Sequence, residues 1–310
     1  MRLLVTGGAG FLGARLCPLL AAAPGVAAVS VFDAAETPGG LRGDIADFAA
    51  LVPDGAADVV IHAAAITALA SEADPDRAWA INVEGTRAVL AWCRRQSRPV
   101  RLLLLSSVTV FGAEEALARE SSPAAPCCTY GMTKLVAEQL VLDAARRGEV
   151  EGRILRLPIS AIRTSRVGRP GAGFLSDLVD HVMRGRVFGV PLPMGRRMPV
   201  ASVGAGLAMI ARLALAPVLP ARLLHLPSLG VSANDAVAAL VAAGFPEAPA
   251  LVRPAPEADV GRMVAGWPQR LGTDFPEMSA DLADAGFGTL IEAHRKMVGA
   301  TGIEPVTLRV

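Results

Sequence analysis

Short apolar runs and longer stretches of mixed polarity alternate through the first half of this chain. Leu3–Thr6, Ala28–Phe32, Val59–His62, Arg101–Ser106 and Gly152–Leu157 read as strands. They show little polar alternation, as expected of strands buried on both faces. Between them, Phe11–Ala23, Ile45–Val52, Pro75–Gln96 and Thr129–Arg147 carry helical patterns. Asp74 is placed to cap the third of these, with Pro75 at its first position. A β-α-β rhythm with fully apolar strands predicts a parallel sheet covered by helices, hence an α/β, doubly wound (Rossmann) fold.

After Pro158 the rhythm weakens and Pro and Gly become frequent. Gly168–Gly173 reads as a loop, and Phe174–Arg184, Ser232–Ala243, Ser279–Ala285 and Thr289–Val298 as helices, with Ser232 as a cap. Leu223–Leu226 reads as a strand returning to the main sheet. Gly244–Pro276 is too rich in Pro to assign. The expected division is residues 1–158 as the Rossmann domain and 159–310 as a smaller, interleaved region.

Composition narrows the possibilities. A length of 310 residues suits one large domain or two closely joined ones. With 52% hydrophobic residues and 4% aromatics, the core must be built from Ala, Val and Leu. A net charge of +1 gives no electrostatic case for nucleic acid or an anionic membrane. Mean hydropathy is positive, yet the longest apolar stretches are interrupted, as Leu207–Ala221 is by Arg212, Pro217 and Pro220. None reaches the roughly 20 clean residues of a membrane span. Arg2–Thr6 already reads as a strand, so no cleaved signal is expected. Cys17, Cys93, Cys127 and Cys128 show no C-x-x-C spacing, which points to a reducing cytoplasm. Cys127-Cys128 reads as two small buried residues of a loop. His62, His181, His225 and His294 are scattered, so no metal is expected.

Thr6-Gly7-Gly8-Ala9-Gly10-Phe11-Leu12-Gly13 lies between the first strand and the first helix. In such a turn Gly7 permits the bend, Gly10 lets a pyrophosphate approach bare backbone, and Gly13 lets helix pack on strand. The helix start at Phe11 and Leu12 supplies free N–H groups and partial positive charge. Asp33 ends the second strand about 20 residues later, where a carboxylate bonds the adenosine ribose. It repels a 2′-phosphate, and Ala34-Ala35 offer no cation, so NAD is favoured over NADP. Asp44 and Ile45 are placed to reach the adenine, with Asp44 also a helix cap. Ala63, Ala64 and Ala65 follow His62 and are small enough for a cofactor to cross the sheet edge. Ser106, Leu157 and Pro158 end further strands and complete the expected cofactor surface.

The chain has one tyrosine, Tyr130, and it stands one helical turn before Lys134. Ser107 follows the fourth strand at the edge where open α/β sheets bind ligands. A phenol with a pKa of about 10 is a poor base at neutral pH. A neighbouring ammonium and an oxidised nicotinamide would lower it. Tyr130 is then the base for an alcohol that loses hydride, with Ser107 holding the substrate oxygen. Asn82 is a candidate for holding a water or backbone group in the proton relay. Arg163 and Arg197 are candidates for binding a substrate carboxylate through a guanidinium fork. Thr67 and Ser160 are further candidate contacts on the substrate side.

Gly7–Gly13, Asp33, His62-Ala63-Ala64, Asn82-Val83-Glu84-Gly85-Thr86, Ser106–Gly112 and Tyr130-Gly131-Met132-Thr133-Lys134 together resemble the extended short-chain dehydrogenase/reductase superfamily, which includes NAD-dependent epimerases and dehydratases. The resemblance implies that Ser107, rather than Ser106, donates to the substrate oxygen. It also implies homodimers formed through the two long helices beside the site. Ser107–Gly112, Arg153–Pro158, Leu224–Ser232 and Gly266-Trp267-Pro268-Gln269-Arg270 are similar to the D-erythronate dehydrogenase branch, which implies NAD-dependent oxidation of a small 2-hydroxy acid to the 2-oxo acid. The chain departs from that branch after Arg163 and at the two cysteines before Tyr130.

Three other readings compete. A sugar-nucleotide epimerase or dehydratase needs a roomier second region and aromatics to stack a base, and a dehydratase needs acids where Val108-Thr109 stand. A ketoreductase of a bulky apolar ketone fits the apolar composition. A silent dinucleotide sensor fits poorly with an intact Ser107, Tyr130 and Lys134 set.

Overall fold

The protein is described by a computed structural model covering residues 1–112, 115–162 and 173–301. The first half supplies strands β1 (Arg2–Thr6), β2 (Ala28–Asp33), β3 (Leu41–Arg42), β4 (Val59–His62), β5 (Val100–Ser107) and β6 (Val150–Leu157). β7 (Ile159–Ala161), β8 (Phe188–Val190), β9 (Met198–Ser202), β10 (Leu223–His225), β11 (Leu229–Val231) and β12 (Val252–Pro254) follow. Seven strands pair in parallel in the order β10-β6-β5-β4-β1-β2-β3. This is the doubly wound α/β fold that the apolar rhythm predicts. The chain order reverses beside β1, so the carboxyl edge between β1 and β4 is where such a sheet opens a crevice.

The period-two pleat explains the all-apolar strands. Leu4, Val60, Leu102, Leu104 and Ile154 point to one face, beneath the helices Gly85–Arg94 and Thr129–Arg146. Leu3, Val5, Ile61, Leu103, Leu105 and Leu155 point to the other, beneath Gly13–Ala21 and Val203–Leu215. The first of these two faces carries an aromatic cluster. Phe32 meets Phe48 edge-on at 5.0 Å, and Phe48 meets Trp92 at 5.9 Å.

Pro75–Gln96 is not one helix. Asp74 caps Pro75–Trp79 by accepting from the Arg77 N–H at 3.0 Å. A wide π turn then spans Ala80–Glu84, and Gly85–Arg94 resumes the α-helix. Such turns are single-turn insertions that favour functional sites. This one centres on Asn82, whose side chain is drawn out of the helix to the neighbouring loop.

In the second half β9 pairs with β7 and β11, and β8 pairs with β12. Phe174, Leu178, Met198, Val200, Trp267 and Ile291 build a separate core there. The proline-rich stretch 244–276 contains Ala248–Leu251, β12 and Ala258–Val264. The helix expected at Ser279–Ala285 is reduced to a 3-10 turn, Ala280–Leu282. Its acids are taken elsewhere: Asp281 pairs with Arg212, and Asp284 accepts from the Ser202 N–H at 2.7 Å. The last helix is Phe287–Thr301. Of the loop Gly168–Gly173, only Gly173 is within the described residues.

Candidate active site

The glycine-rich turn leaves β1 at Thr6 and enters the helix Gly13–Ala21. Gly7 adopts φ +72°, which favours glycine, and a Cβ there would come within 2.7 Å of the Ala64 nitrogen. A Cβ on Gly13 would strike the Gly7 carbonyl oxygen. The turn is closed by Gly7 N–H donating to the Phe32 carbonyl and Gly10 N–H to the Gly7 carbonyl. Asp33 holds the turn from the side, accepting from the Ala9 and Ala35 N–H groups at 2.9 Å each. An ionised carboxylate has acceptor capacity beyond those two bonds. Asp44 caps Ile45–Asp47 through the Ala46 N–H at 2.9 Å. Ile45 is buried in the main core.

A cavity of about 500 Å³ opens from this turn across the sheet edge. Gly7, Gly10, Phe11, Leu12 and Gly13 line one end, and Ala63, Ala65, Ser106, Leu157 and Pro158 line its floor. Ser107, Tyr130, Lys134, Thr67 and Ser160 line the same cavity. Residues from five separate parts of the chain therefore meet in one space. Ile66, Val108, Thr109, Ile159, Gly173 and Trp267 also line it and are absent from the expected site. Of these, Trp267 had a signal in the Gly266–Arg270 resemblance.

The helix Thr129–Arg146 presents Tyr130 and Lys134 on successive turns. Its start is fixed by Cys128, whose sulfur accepts from the Gly131 N–H at 3.4 Å, and by Glu72, which accepts from the Thr129 N–H at 2.6 Å. Cys128 is buried, but Cys127 is exposed, contrary to the expectation for the pair. Burial pushes the Tyr130 phenol up to about 12 and the Lys134 ammonium down to about 8. Glu138, one turn further on, partly offsets the latter by favouring the charged amine. Ser107 Oγ accepts from the Thr109 N–H at 3.2 Å, leaving its own proton to donate.

Asn82 acts through the backbone. Its Oδ1 accepts from Ile66 N–H at 3.0 Å, and its Nδ2 donates to the Ile66 carbonyl at 3.2 Å and to Thr133 Oγ1 at 3.0 Å. Thr133 in turn donates to the Tyr130 carbonyl at 2.9 Å. The amide thus ties the cavity wall at Ile66 to the Tyr130 helix. His62 is structural. Its ring lies fully buried between Thr6 Oγ1 at 2.8 Å and Thr86 Oγ1 at 3.1 Å.

Ser106 lines the cavity, but its hydroxyl is taken by Glu138, to which it donates at 2.5 Å. Glu138 and Arg156 are further site-supporting residues that the sequence reading missed. The signal for Glu138 was its i+4 spacing from Lys134. Arg197 is on the surface, with its guanidinium donating to the Gly230 carbonyl at 2.6 Å and pairing with Asp235. It is not among the residues lining the cavity. Arg163 lies outside the described residues.

The bare-backbone turn, the Asp33 carboxylate and the small floor fit a dinucleotide. Among the described residues, no helix is long and apolar enough to cross a membrane. Comparison with known proteins agrees with this geometry. A D-erythronate dehydrogenase of Cupriavidus necator is 29% identical, covering 96% of this chain and 99% of that protein. A second, from Haemophilus influenzae, is 26% identical, covering 94% and 98%. The crystal structure of a nucleoside-diphosphate-sugar epimerase from Agrobacterium tumefaciens superimposes with a TM-score of 0.84 at 27% identity, covering 98% of this chain and 95% of that one. Residues 3–191 match the NAD dependent epimerase/dehydratase family. The chain belongs to that family and is an NAD-dependent dehydrogenase of the extended short-chain type.

Proposed function

We propose that the enzyme oxidises a secondary alcohol of a small sugar acid, such as D-erythronate, from the 2-hydroxy to the 2-oxo acid. The observation that carries this reading is the convergence of Ser107, Tyr130 and Lys134 in the cavity that begins at the glycine-rich turn. The near full-length likeness to two D-erythronate dehydrogenases supports the substrate class. NAD, when bound, supplies the hydride acceptor. Gly7, Gly10, Phe11, Leu12 and Gly13 hold its diphosphate, and Asp33 its ribose. Leu157, Pro158, Ala63 and Ala65, which line the same cavity, would contact the rest of the dinucleotide.

Tyr130 removes the substrate hydroxyl proton as the C–H bond is broken. Lys134 carries positive charge beside the phenol and lowers the cost of the phenolate. Ser107 donates to the substrate oxygen and holds it facing Tyr130. Asn82 fixes the Ile66 backbone that walls the relay. Arg163 remains the proposed carboxylate partner. Arg197 does not, because Asp235 and the Gly230 carbonyl occupy it.

We also propose a cytoplasmic homodimer. Trp79 and Met132 are 41% and 37% exposed on the two helical segments beside the site, which suits a partner surface there. The test of function is direct. Purified protein is incubated with NAD and four- to six-carbon aldonates, with UDP-sugars and aryl ketones as the competing arms, and reduced cofactor is followed by absorbance. Turnover of the aldonates is expected, and turnover of UDP-sugars alone removes this reading.

A further inference from the structure

One wall of the cavity is contributed by a segment that the catalytic roles do not use. Trp267 lines the cavity, yet only 1% of its surface is exposed. Its ring belongs to the core of the second half, with Cys128, Phe174 and Leu178. The indole N–H faces the Cys128 thiol, near enough to favour its charged form but outside hydrogen-bond geometry, so close packing is the main restraint on the ring.

The backbone around it is fastened on both sides. Arg196 Nη2 donates to the Val264 and Trp267 carbonyls at 3.0 and 2.8 Å. Gly266 has no space for a Cβ, which would strike the Gly112 carbonyl. Gln269 N–H donates to the Glu115 carbonyl, Ala118 N–H to Arg270, and Gly272 N–H to Ala118, at 2.9, 3.1 and 2.9 Å. Segment 266–272 is therefore bolted to the connection between Ser107 and Tyr130. That places Trp267 at the chemical end of the cavity.

We propose that Trp267 is the specificity-determining wall of this cavity, setting the chain length of the alcohol that reaches Ser107 and Tyr130. This rests on the reading of the substrate as a small hydroxy acid. The ring is large, flat and held from behind by a close-packed core, so it cannot yield to a longer substrate. A fixed apolar wall separates substrates that differ by one methylene by about 10- to 200-fold. The wall works by volume, because the indole N–H is turned towards Cys128.

The experiment compares wild type, Trp267→Ala and Trp267→Phe with four-, five- and six-carbon 2-hydroxy acids. Trp267→Ala is expected to raise the six-to-four-carbon ratio of kcat/KM at least about tenfold. Trp267→Phe, which keeps a ring without the N–H, is expected to move it less than about threefold. Calorimetric affinities of the same acids for the enzyme–NADH complex, which need no turnover, are expected to follow the same order. NADH affinity is expected to stay within about twofold, since the ring's segment is fastened to the 112–118 connection and not to the diphosphate turn. If Trp267→Ala does not fold, Trp267→Leu carries the test with the same direction of change. An unchanged ratio in a folded variant that binds NADH overturns the proposal. A wild-type enzyme inert towards every acid refutes the substrate reading alone. The ratio is then scored on short and long members of the alcohol series that it does turn over.

Discussion

Glu138 accepts from both Nε and Nη2 of Arg156, at 2.9 and 2.7 Å, and the two residues are 0% and 4% exposed. β5 and β6 are in register with Ser106 opposite Arg156, so the same carboxylate also takes the Ser106 hydroxyl. The remaining nitrogen, Nη1, has no hydrogen-bond partner, and the guanidinium lies over the Phe111 ring at 5.0 Å. A cation over an aromatic face recovers part of what the missing bond costs. Within this pair it is the Glu138 carboxylate that favours the charged form of the buried Lys134 amine.

Glu138→Gln is expected to cost about 3–5 kcal/mol of stability, because it strands the Arg156 charge in the core. It is also expected to move the alkaline limit of activity to lower pH. Burial already holds Lys134 at about 8, and Glu138 opposes that depression. Without Glu138 the ammonium loses its proton more easily, and the phenolate loses its support at a lower pH. Urea melts and a pH profile of kcat/KM check both parts. A profile that stays put while stability falls would make the pair purely architectural.

How much of this was legible in the sequence follows from which interactions are local. Val59–His62 is legible to the residue, and β1, β2, β5 and β6 to within a few residues, because buried parallel strands are written as apolar runs. The glycine-rich turn and the Tyr130–Lys134 helix were legible for the same reason: backbone space and i+4 spacing are local properties. The π turn at Ala80–Glu84 was not, since it answers to a bond between Asn82 and Ile66 that sequence spacing does not encode. The three-residue β10 is legible as the strand returning to the main sheet, whereas β7, β8 and β12, equally short and outside that sheet, carry too little pattern to be read. Trp267 reaches the cavity only through pairing of segment 266–272 with a loop more than a hundred residues earlier. Arg197 failed as a cavity residue because Asp235, distant in sequence, captures it.

Tyr130 can be titrated without interference, as it is the only tyrosine. In the free protein burial holds it near 12, so little phenolate absorbance is expected before strongly alkaline pH. Adding NAD introduces a positive ring, and the ionisation is expected to fall by more than about one pH unit. Tyr130→Phe is expected to remove the signal and lower kcat by about 10²–10⁴-fold. A titration indifferent to NAD would place the phenol away from the nicotinamide.

Asn82 is expected to matter through geometry rather than by touching the reacting atoms. Asn82→Ala leaves the Ile66 N–H and carbonyl without the partners they have now. Each unmade bond in a buried setting costs about 1–3 kcal/mol. The wall between the cavity and the Tyr130 helix then loosens, and kcat is expected to fall while the thermal transition drops. Hydrogen exchange at the Ile66 amide is the direct reporter: it should speed up in the variant, and an unchanged rate would show that the clamp is dispensable.

His62 sets an acid limit on the fold. Its ring is enclosed between Thr6 and Thr86, and burial, with a smaller contribution from the Lys134 charge, pushes its pKa from 6.5 to about 3. The folded pKa is depressed, so the stability linked to it is present above pH 6.5 and is lost as the pH falls through 3. Between pH 6.5 and about pH 4 the loss amounts to roughly 3 kcal/mol at 1.36 kcal/mol per unit. His225, held down to about 4 by burial, and carboxylates such as Asp58 and Glu149 titrate with the same sign. The readout must therefore be a difference. His62→Gln keeps a donor and an acceptor between the two threonines but cannot take up a proton in this range. It is expected to be less stable than wild type at pH 7 and to close most of that gap by about pH 4, measured as denaturation midpoints. Two curves that fall in parallel would mean that the histidine is either already charged in the fold or able to reach water before it protonates.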